Sequence, residues 1–536
     1  MHFKKPLLLR ELTPRLLRVY LLVSMGAMNF GVDNNWWSAA IGMQKFIDDY
    51  GTYVGDSKTK TLPSSWLSAA SGTPIAGWVI GCCIASSITR RLGRKLTVVV
   101  ICCIAIVGII LQPSIPNYWG LMVGRLINSV SMGIEANCIP MYMTELAPPA
   151  IRGAMVNFYQ WWLMVGGVIA SSIMYGTSGR DDQWAYKTAM TVQIIIPVLL
   201  LCGLPFVPES PRWLLGKGRR DEALKSLLFM RYGAATAAEV EVELDLMEQA
   251  MKEQEEYHRA TSFADCFRGS NVRRTLVAIG VQCLQQSQGG AFMNTYLVTF
   301  LNQIGIEDSL KINVANICTS LGGATLAFYF MDLLGRRIML MGGSFFMCGL
   351  LWTVSGLATW LPGGVHGSSA QGCVAAILLY SAFNCGCWGS VNWTVTSEVG
   401  SQQLRERTIA LATIFGFITS LLVTYINPYI QDEPGNLGSR IGIVYASVSI
   451  IAIAFVFFCV PEMKGRSLEE LDEMFQSGVS AWRAKSYVCT GIGAQVTEVQ
   501  NKNSEAHKIL EAVHAIPAIT DGIDSDIKAE ARVKIV

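Results

Sequence analysis

The chain has 536 residues, of which 51% are hydrophobic and only 15% charged, with a net charge of +2 and a mean hydropathy of +0.37. This balance excludes an ordinary soluble globular protein, and a charge so near zero gives no electrostatic basis for binding nucleic acid. Apolar runs of ~20 residues recur between short polar stretches, which is the pattern of a polytopic membrane protein.

Residues 1–15 read as a basic N-terminal segment; the apolar run Leu7–Leu9 is too short for a cleavable leader and is followed by Arg10, Arg15 and Arg18. Spans are predicted at 16–44, 64–89, 96–113, 118–142, 151–177 and 187–206, forming a first six-helix bundle over 16–206. A charged stretch, 207–271, follows, in which 221–232 and 237–257 have the period and composition of short amphipathic helices. A second six-helix bundle is predicted over 272–460, with spans at 272–302, 310–333, 337–361, 371–398, 405–427 and 441–460. The tail, 461–536, opens with a helical stretch at Leu468–Phe475 and becomes polar and mixed beyond Ser486. The 15 cysteines include Cys82–Cys83 and Cys102–Cys103 inside apolar runs. Without zinc-type spacing they read as reduced, packed thiols, and no metal site is expected.

The first span contains Asp33 between Met28 and Trp37, beside Asn34 and Asn35. An acid at membrane depth costs ~2.5–3.5 kcal/mol on insertion scales and normally faces a protein interior or a water-filled path. Basic residues collect at Arg90, Arg91, Arg94 and Lys95, at Arg212, Lys217, Arg219 and Arg220, and at Arg336 and Arg337. With twelve helices these clusters and the N-terminus fall on one side, so both termini are expected in the cytosol.

The halves repeat one another. Arg91-Leu-Gly-Arg-Lys95 follows the second helix and Leu334-Gly-Arg-Arg337 the eighth, and Glu145 precedes Arg152 by the same seven residues that separate Glu398 from Arg405. A six-helix unit used twice is the plan of a two-bundle carrier with its site near mid-membrane between the halves. The charges Arg94, Lys95, Glu145, Arg152, Glu209, Arg212, Arg336, Arg337, Glu398, Arg405 and Glu462 share one depth and read as a gate on the cytosolic side. Exposed pairs are worth only ~0–1 kcal/mol each, yet a network formed only when that side is shut biases a two-state equilibrium. An alternative is that these charges only enforce topology.

These motifs resemble the major facilitator superfamily and, within it, the sugar porters. The match runs over about residues 15–475, on Gly31-Val-Asp33, Gly93-Arg94-Lys95, Gly124-Arg125, Pro208-Glu-Ser-Pro-Arg212, Gln285-Gln286 and Pro461-Glu-Met-Lys-Gly-Arg466. The long charged middle resembles fungal members. The resemblance implies an all-α membrane fold of twelve transmembrane helices in two pseudo-symmetric bundles, working as a monomer in the lipid bilayer of a plasma membrane. It implies a small-molecule substrate, a sugar, and no cofactor beyond the proton as coupling ion. By motif, Gln160, Gln285, Gln286 and Trp393 fall where sugar porters bind their substrate, and Tyr296 and Asn392 on the same helices as the last three are read with them. Asp33 resembles the acid of proton-coupled members, with Arg125 as its partner. A static Asp33–Arg125 pair that only joins two helices is the competing reading.

There are departures from the family pattern. Ala291 holds a position usually Asn, Ser390 and Asn392 replace two prolines, Phe417 stands for a usual tryptophan, and Thr89 for an acid that Asp332 keeps in the second half. Glu135, ten residues beyond Arg125 and therefore ~15 Å along the helix, is an additional acid. It reads equally as a second titrating site, a substrate contact or a carboxylate satisfied by its neighbours. The expectation is proton-coupled sugar symport by alternating access. Rival readings are a carrier of a polyol, quinate-type compound or secondary metabolite, and a nutrient receptor without transport. No nucleophile–base set or phosphate loop supports an enzyme.

Overall fold

A computed structural model describes residues 14–53, 60–146, 152–232, 263–303, 308–360, 368–401, 404–431, 435–464 and 468–487, with isolated positions in 237–248 and at 305 and 466. The side chains of Arg152 and Asp332 lie outside the described set. Two compact units are distinguished, Met1–Lys464 with Ser480–Lys485, and Gly465–Val479 with Ser486–Val536.

The first unit holds twelve long helical segments among the described residues. α1 is Pro14–Ile41. The run Ser64–Ser114 is broken at Gly93 (φ 86°) into α2 (64–92) and α3 (94–114). α4 is Tyr118–Leu146, α5 Arg152–Thr177 and α6 Trp184–Phe206. α7 runs over 271–303 through a π-turn at Gln286–Gly290. α8 is Ser309–Leu334 and α9 Arg336–Trp360. α10 covers 368–399, with a second π-turn at Asn384–Gly389. α11 is Arg405–Gln431 and α12 Ile441–Cys459. Nine of these stretches are apolar and long enough to cross a membrane by length and composition alone. The other three, α4, α5 and α7, are those that carry Arg125, Gln160 and the Gln285–Gln286 pair inward. The chain is an all-α, multi-pass membrane protein. A two-residue antiparallel bridge, Thr52–Tyr53 with Lys60–Thr61, is the sheet found among the described residues.

The π-turn of α7 follows from its sequence, Gln286-Ser-Gln-Gly-Gly290. Gly289 takes φ 102°, a conformation that suits glycine. A wide turn leaves polar groups that neighbouring helices must satisfy. Tyr380 Oη donates to the Gln288 carbonyl at 3.0 Å and Ser344 Oγ to Gln288 Oε1 at 3.0 Å, while Trp388 Nε1 donates to Ser344 Oγ at 2.9 Å. The turn is thereby tied to α9 and α10.

The charged motifs fold as two copies of one staple. Gly93 and Gly335 both lie at positive φ, 86° and 90°, and turn the chain so that the next two amides point outward. Glu209 accepts from Arg94 N at 3.0 Å and Lys95 N at 3.1 Å; Glu462 accepts from Arg336 N at 3.0 Å and Arg337 N at 3.2 Å. A Cβ built on either glycine would sit 2.7 Å from the carboxylate of Glu209 or Glu462. Arg94 pairs with Glu145 at 2.6 Å, and Arg336 with Glu398 at 3.0 Å. Arg405 Nε donates to the Ser397 carbonyl at 2.8 Å, and Arg212 sits in the first turn of the short helix Pro211–Gly216.

The expected network between bundles belongs to a state in which this side is shut, and the pairs seen here are a different set. Arg94–Glu145 and Arg336–Glu398 each lie within one half, because each basic turn abuts the end of its own half's fourth helix. Glu209→Ala removes three backbone hydrogen bonds to a carboxylate, from Arg94, Lys95 and Ser210, and Glu462→Ala four, from Arg336, Arg337, Met463 and Lys464; in each set the two from the basic turn, worth ~1.5–3 kcal/mol apiece, make the staple. Both variants should lower the thermal melting temperature of the purified protein by similar amounts. A large loss for one and none for the other would contradict the equivalence of the two staples.

The halves meet at the opposite end and along the cavity. Asn302 Nδ2 of α7 donates to the Gly42 carbonyl just beyond α1 at 2.8 Å. Asn313 of α8 donates to Ser171 Oγ of α5 at 3.3 Å, and Trp161 Nε1 to Thr325 Oγ1 at 3.1 Å. Between the halves' sequences, the described part of 207–271 includes the helix Arg220–Met230, which agrees with the first predicted amphipathic helix. The second, 237–257, falls largely outside the described residues. In the second unit the helix Leu468–Gln476 forms where expected, and the remainder of the tail beyond 487 lies outside the described residues.

Candidate functional site

Between the halves lies a cavity of about 160 Å³, room for roughly ten water molecules and so for a small polar solute. Asn34, Arg125, Gln160, Gln285, Gln286 and Trp393 are all in its wall. Four of the six residues assigned to substrate from sequence therefore converge from α5, α7 and α10.

The other two are placed differently. Asn392 is fully buried behind the wall, where its Nδ2 donates to Gln285 Oε1 and, at 2.8 Å, to Gln282 Oε1. Gln282 Nε2 in turn donates to Thr396 Oγ1 at 3.3 Å. Asn392 is a positioning residue: one position before Trp393, a helix turns its side chain by about 100° to another face. Tyr296 is also buried outside the wall, its hydroxyl donating to the Thr424 carbonyl at 2.9 Å and reaching Ser71 of α2. It joins helices around the cavity instead of facing its contents.

Asp33 is 1% exposed and is not among the cavity-lining residues. Its Oδ1 accepts from Asn128 Nδ2 at 3.0 Å, Trp36 Nε1 at 3.2 Å and Gln193 Nε2 at 3.3 Å, while Oδ2 stands 3.9 Å from Arg125 Nη2. That separation exceeds the ~2.7–2.9 Å of a charge-assisted hydrogen bond, so the pair is close but loose. Arg125 Nη1 donates to the Ala70 carbonyl at 3.1 Å, and its guanidinium lies 4.2 Å from the Trp37 ring centroid and 5.2 Å from that of Trp36. Aromatic faces stabilise a desolvated cation. Arg125, itself buried, is part of the cavity wall and Asp33 is not, so the ion pair meets the cavity at the arginine. Glu135 is 1% exposed and accepts from Tyr159 Oη at 3.4 Å. Tyr159 and Ala136 both line the cavity, and no cation lies within ion-pair distance of Glu135 among the described residues.

Reasoning from sequence missed Asn128 and Gln193, which complete the shell of Asp33, and Asn294, Asn313 and Asn316, which line the cavity. The available signal was an amide inside an apolar span: Asn128 stands three residues after Arg125, one turn along the same helix face, and Asn313 and Asn316 share that spacing.

The family described as "Sugar (and other) transporter" matches residues 19–475. The chain is 28% identical over 483 residues to the low-affinity glucose transporter HXT3 of Saccharomyces cerevisiae, covering 88% of this chain and 83% of that one. It is also 28% identical over 471 residues to the major facilitator-type transporter ecdD of Aspergillus rugulosus, covering 86% and 87% of the two chains. Among solved structures, the proton:xylose symporter XylE is similar in fold at a TM-score of 0.71, with 19% identity over 86% of this chain and 99% of that one. With two six-helix halves, a cavity between them and this match over most of its length, the chain belongs to the sugar transporter family of the major facilitator superfamily.

Proposed function

We propose that the protein is a proton-coupled sugar symporter that works by alternating access in a plasma membrane, with both termini in the cytosol. The observation that carries the coupling is the loose, buried Asp33–Arg125 pair, whose arginine belongs to the cavity wall. A sugar hydroxyl engaging Arg125 competes for the guanidinium. Asp33 then loses part of its counter-charge, and a proton becomes the cheapest way to neutralise it. The neutral site crosses with its cargo, and release restores the pair. Gln160, Gln285 and Gln286 supply amides that both donate and accept, as a hydroxyl-rich solute requires, and Trp393 supplies an apolar ring face. The names of relatives support a sugar as cargo.

Contacts between the halves at the end away from the basic turns support an inward-facing arrangement. The charged staples support rigid halves that rock as units. Glu135, buried without a cation, is read as a second proton site that meets the cavity through Tyr159. The receptor reading is disfavoured because both coupling residues are present and adjacent.

The test is uptake of a panel of labelled sugars in a transporter-null host, with and without a protonophore, for the wild type and Glu135→Gln. Accumulation that collapses with the protonophore is expected, with a pH profile narrowed in the variant. Uptake indifferent to the protonophore would reject coupling, absence of any uptake would favour a receptor, and an unchanged profile would remove Glu135.

A further inference from the structure

We propose that the cavity is built for an amphiphilic cargo: a polyhydroxylated compound bearing an aryl or alkyl group, whose apolar part lies against Phe30, Ile75, Trp78 and Phe417. This rests on the transport reading and sharpens its substrate class.

The cavity wall combines polar groups from both halves, Asn34, Arg125 and Gln160 from the first and Gln285, Gln286 and Asn316 from the second, with a continuous apolar patch. That patch is Phe30 of α1, Ile75 and Trp78 of α2 and Phe417 of α11. These are not scattered side chains. Phe30, Ile75 and Trp78 belong to one buried cluster against which Leu163 and Phe417 pack. The Phe30 and Trp78 rings lie 4.8 Å apart, and Trp78 lies 5.7 Å from Phe417 across the boundary between halves. Ala291 adds a methyl group to the wall.

A bare hexose carries hydroxyls around its whole rim. Those turned toward this cluster would leave water and find no partner, which is the costly outcome for a polar group. One aromatic face serves the weakly polar face of a sugar ring, and Trp393 already provides it. A second, continuous aromatic surface gains only from a solute with apolar surface of its own.

The aromatic cluster also lies on the seam that opens and closes, so a hydrophobic gate is the competing explanation. The two separate on selectivity: a gate affects every cargo alike. Binding of methyl β-D-glucoside and phenyl β-D-glucoside to the purified full-length protein, followed by thermal shift, makes the comparison. The phenyl compound should bind about tenfold or more tighter, the scale of burying a ring's apolar surface. In Trp78→Ala that ratio should fall to near one, and in the milder Phe417→Leu, which guards against misfolding of the first variant, it should fall severalfold. Equal affinities in the wild type overturn the proposal while leaving sugar transport standing. A ratio that survives in both variants while all binding weakens also overturns it, in favour of a gate. Failure of either glucoside to bind, together with no uptake of any labelled sugar, overturns the transport reading and the cargo class with it.

Discussion

Asp33→Asn is expected to abolish accumulation of substrate against a gradient while sparing exchange of substrate across the membrane. Asparagine is nearly isosteric and its Oδ1 still accepts from Trp36, Asn128 and Gln193, while Arg125, left without its counter-charge, keeps the Ala70 carbonyl and the Trp36 and Trp37 rings; expression and folding are checked before transport is read. What is lost is the group that takes the proton. In vesicles with an imposed pH gradient, the internal-to-external substrate ratio should fall to near one, and counterflow of labelled substrate should persist and lose its pH dependence. Retained accumulation would reject the coupling role of Asp33. The converse change, Arg125→Ala, is a different experiment. It leaves a buried carboxylate without its cation, which costs about 3–5 kcal/mol, so reduced folding is expected there before any transport phenotype can be read.

Gln285→Ala should raise the substrate KM by about tenfold to a hundredfold with the maximal rate largely kept. One lost amide removes up to two hydrogen bonds at ~1–1.5 kcal/mol each, and each 1.4 kcal/mol is about a factor of ten. The side chain is held in place from behind by Asn392, whose Nδ2 also serves Gln282. Asn392→Ala should therefore raise KM by a smaller, severalfold amount through a Gln285 that is no longer oriented. Uptake kinetics at matched surface expression would read both. An unchanged KM in Gln285→Ala would remove this residue from the binding wall.

The helices and their pairing into halves were legible because lipid enforces long apolar runs and because the same charged words occur twice. Gln160, Gln285, Gln286 and Trp393 were legible for the same reason that Asp33 was, being polar or aromatic groups in register with known motifs. The face each residue presents was not legible. Asn392 and Trp393 are neighbours in sequence, yet one lines the cavity and the other braces its wall, and the π-turns at Gln286–Gly290 and Asn384–Gly389 change the phase of α7 and α10 in the region that decides it. The staples were legible only in part. Spacing puts Arg94 and Glu145 at one depth of the first bundle, but only the fold shows that they meet, at 2.6 Å. Gln193, the one amide of α6, could not be assigned to Asp33 across 160 positions of sequence.

Each half also closes on itself at the basic end, and this bears on how the protein is made. When residue 209 has been synthesised, Glu209 can already cap the turn after Gly93, and Glu145 can already hold Arg94. Among the described residues, these contacts need nothing from the second half. The second half repeats the sequence of events when Glu462 emerges to meet Arg336 and Arg337. A ribosome feeding a membrane can thus complete one bundle, pause over the charged middle segment and complete the other, leaving only the seam between them to be assembled last.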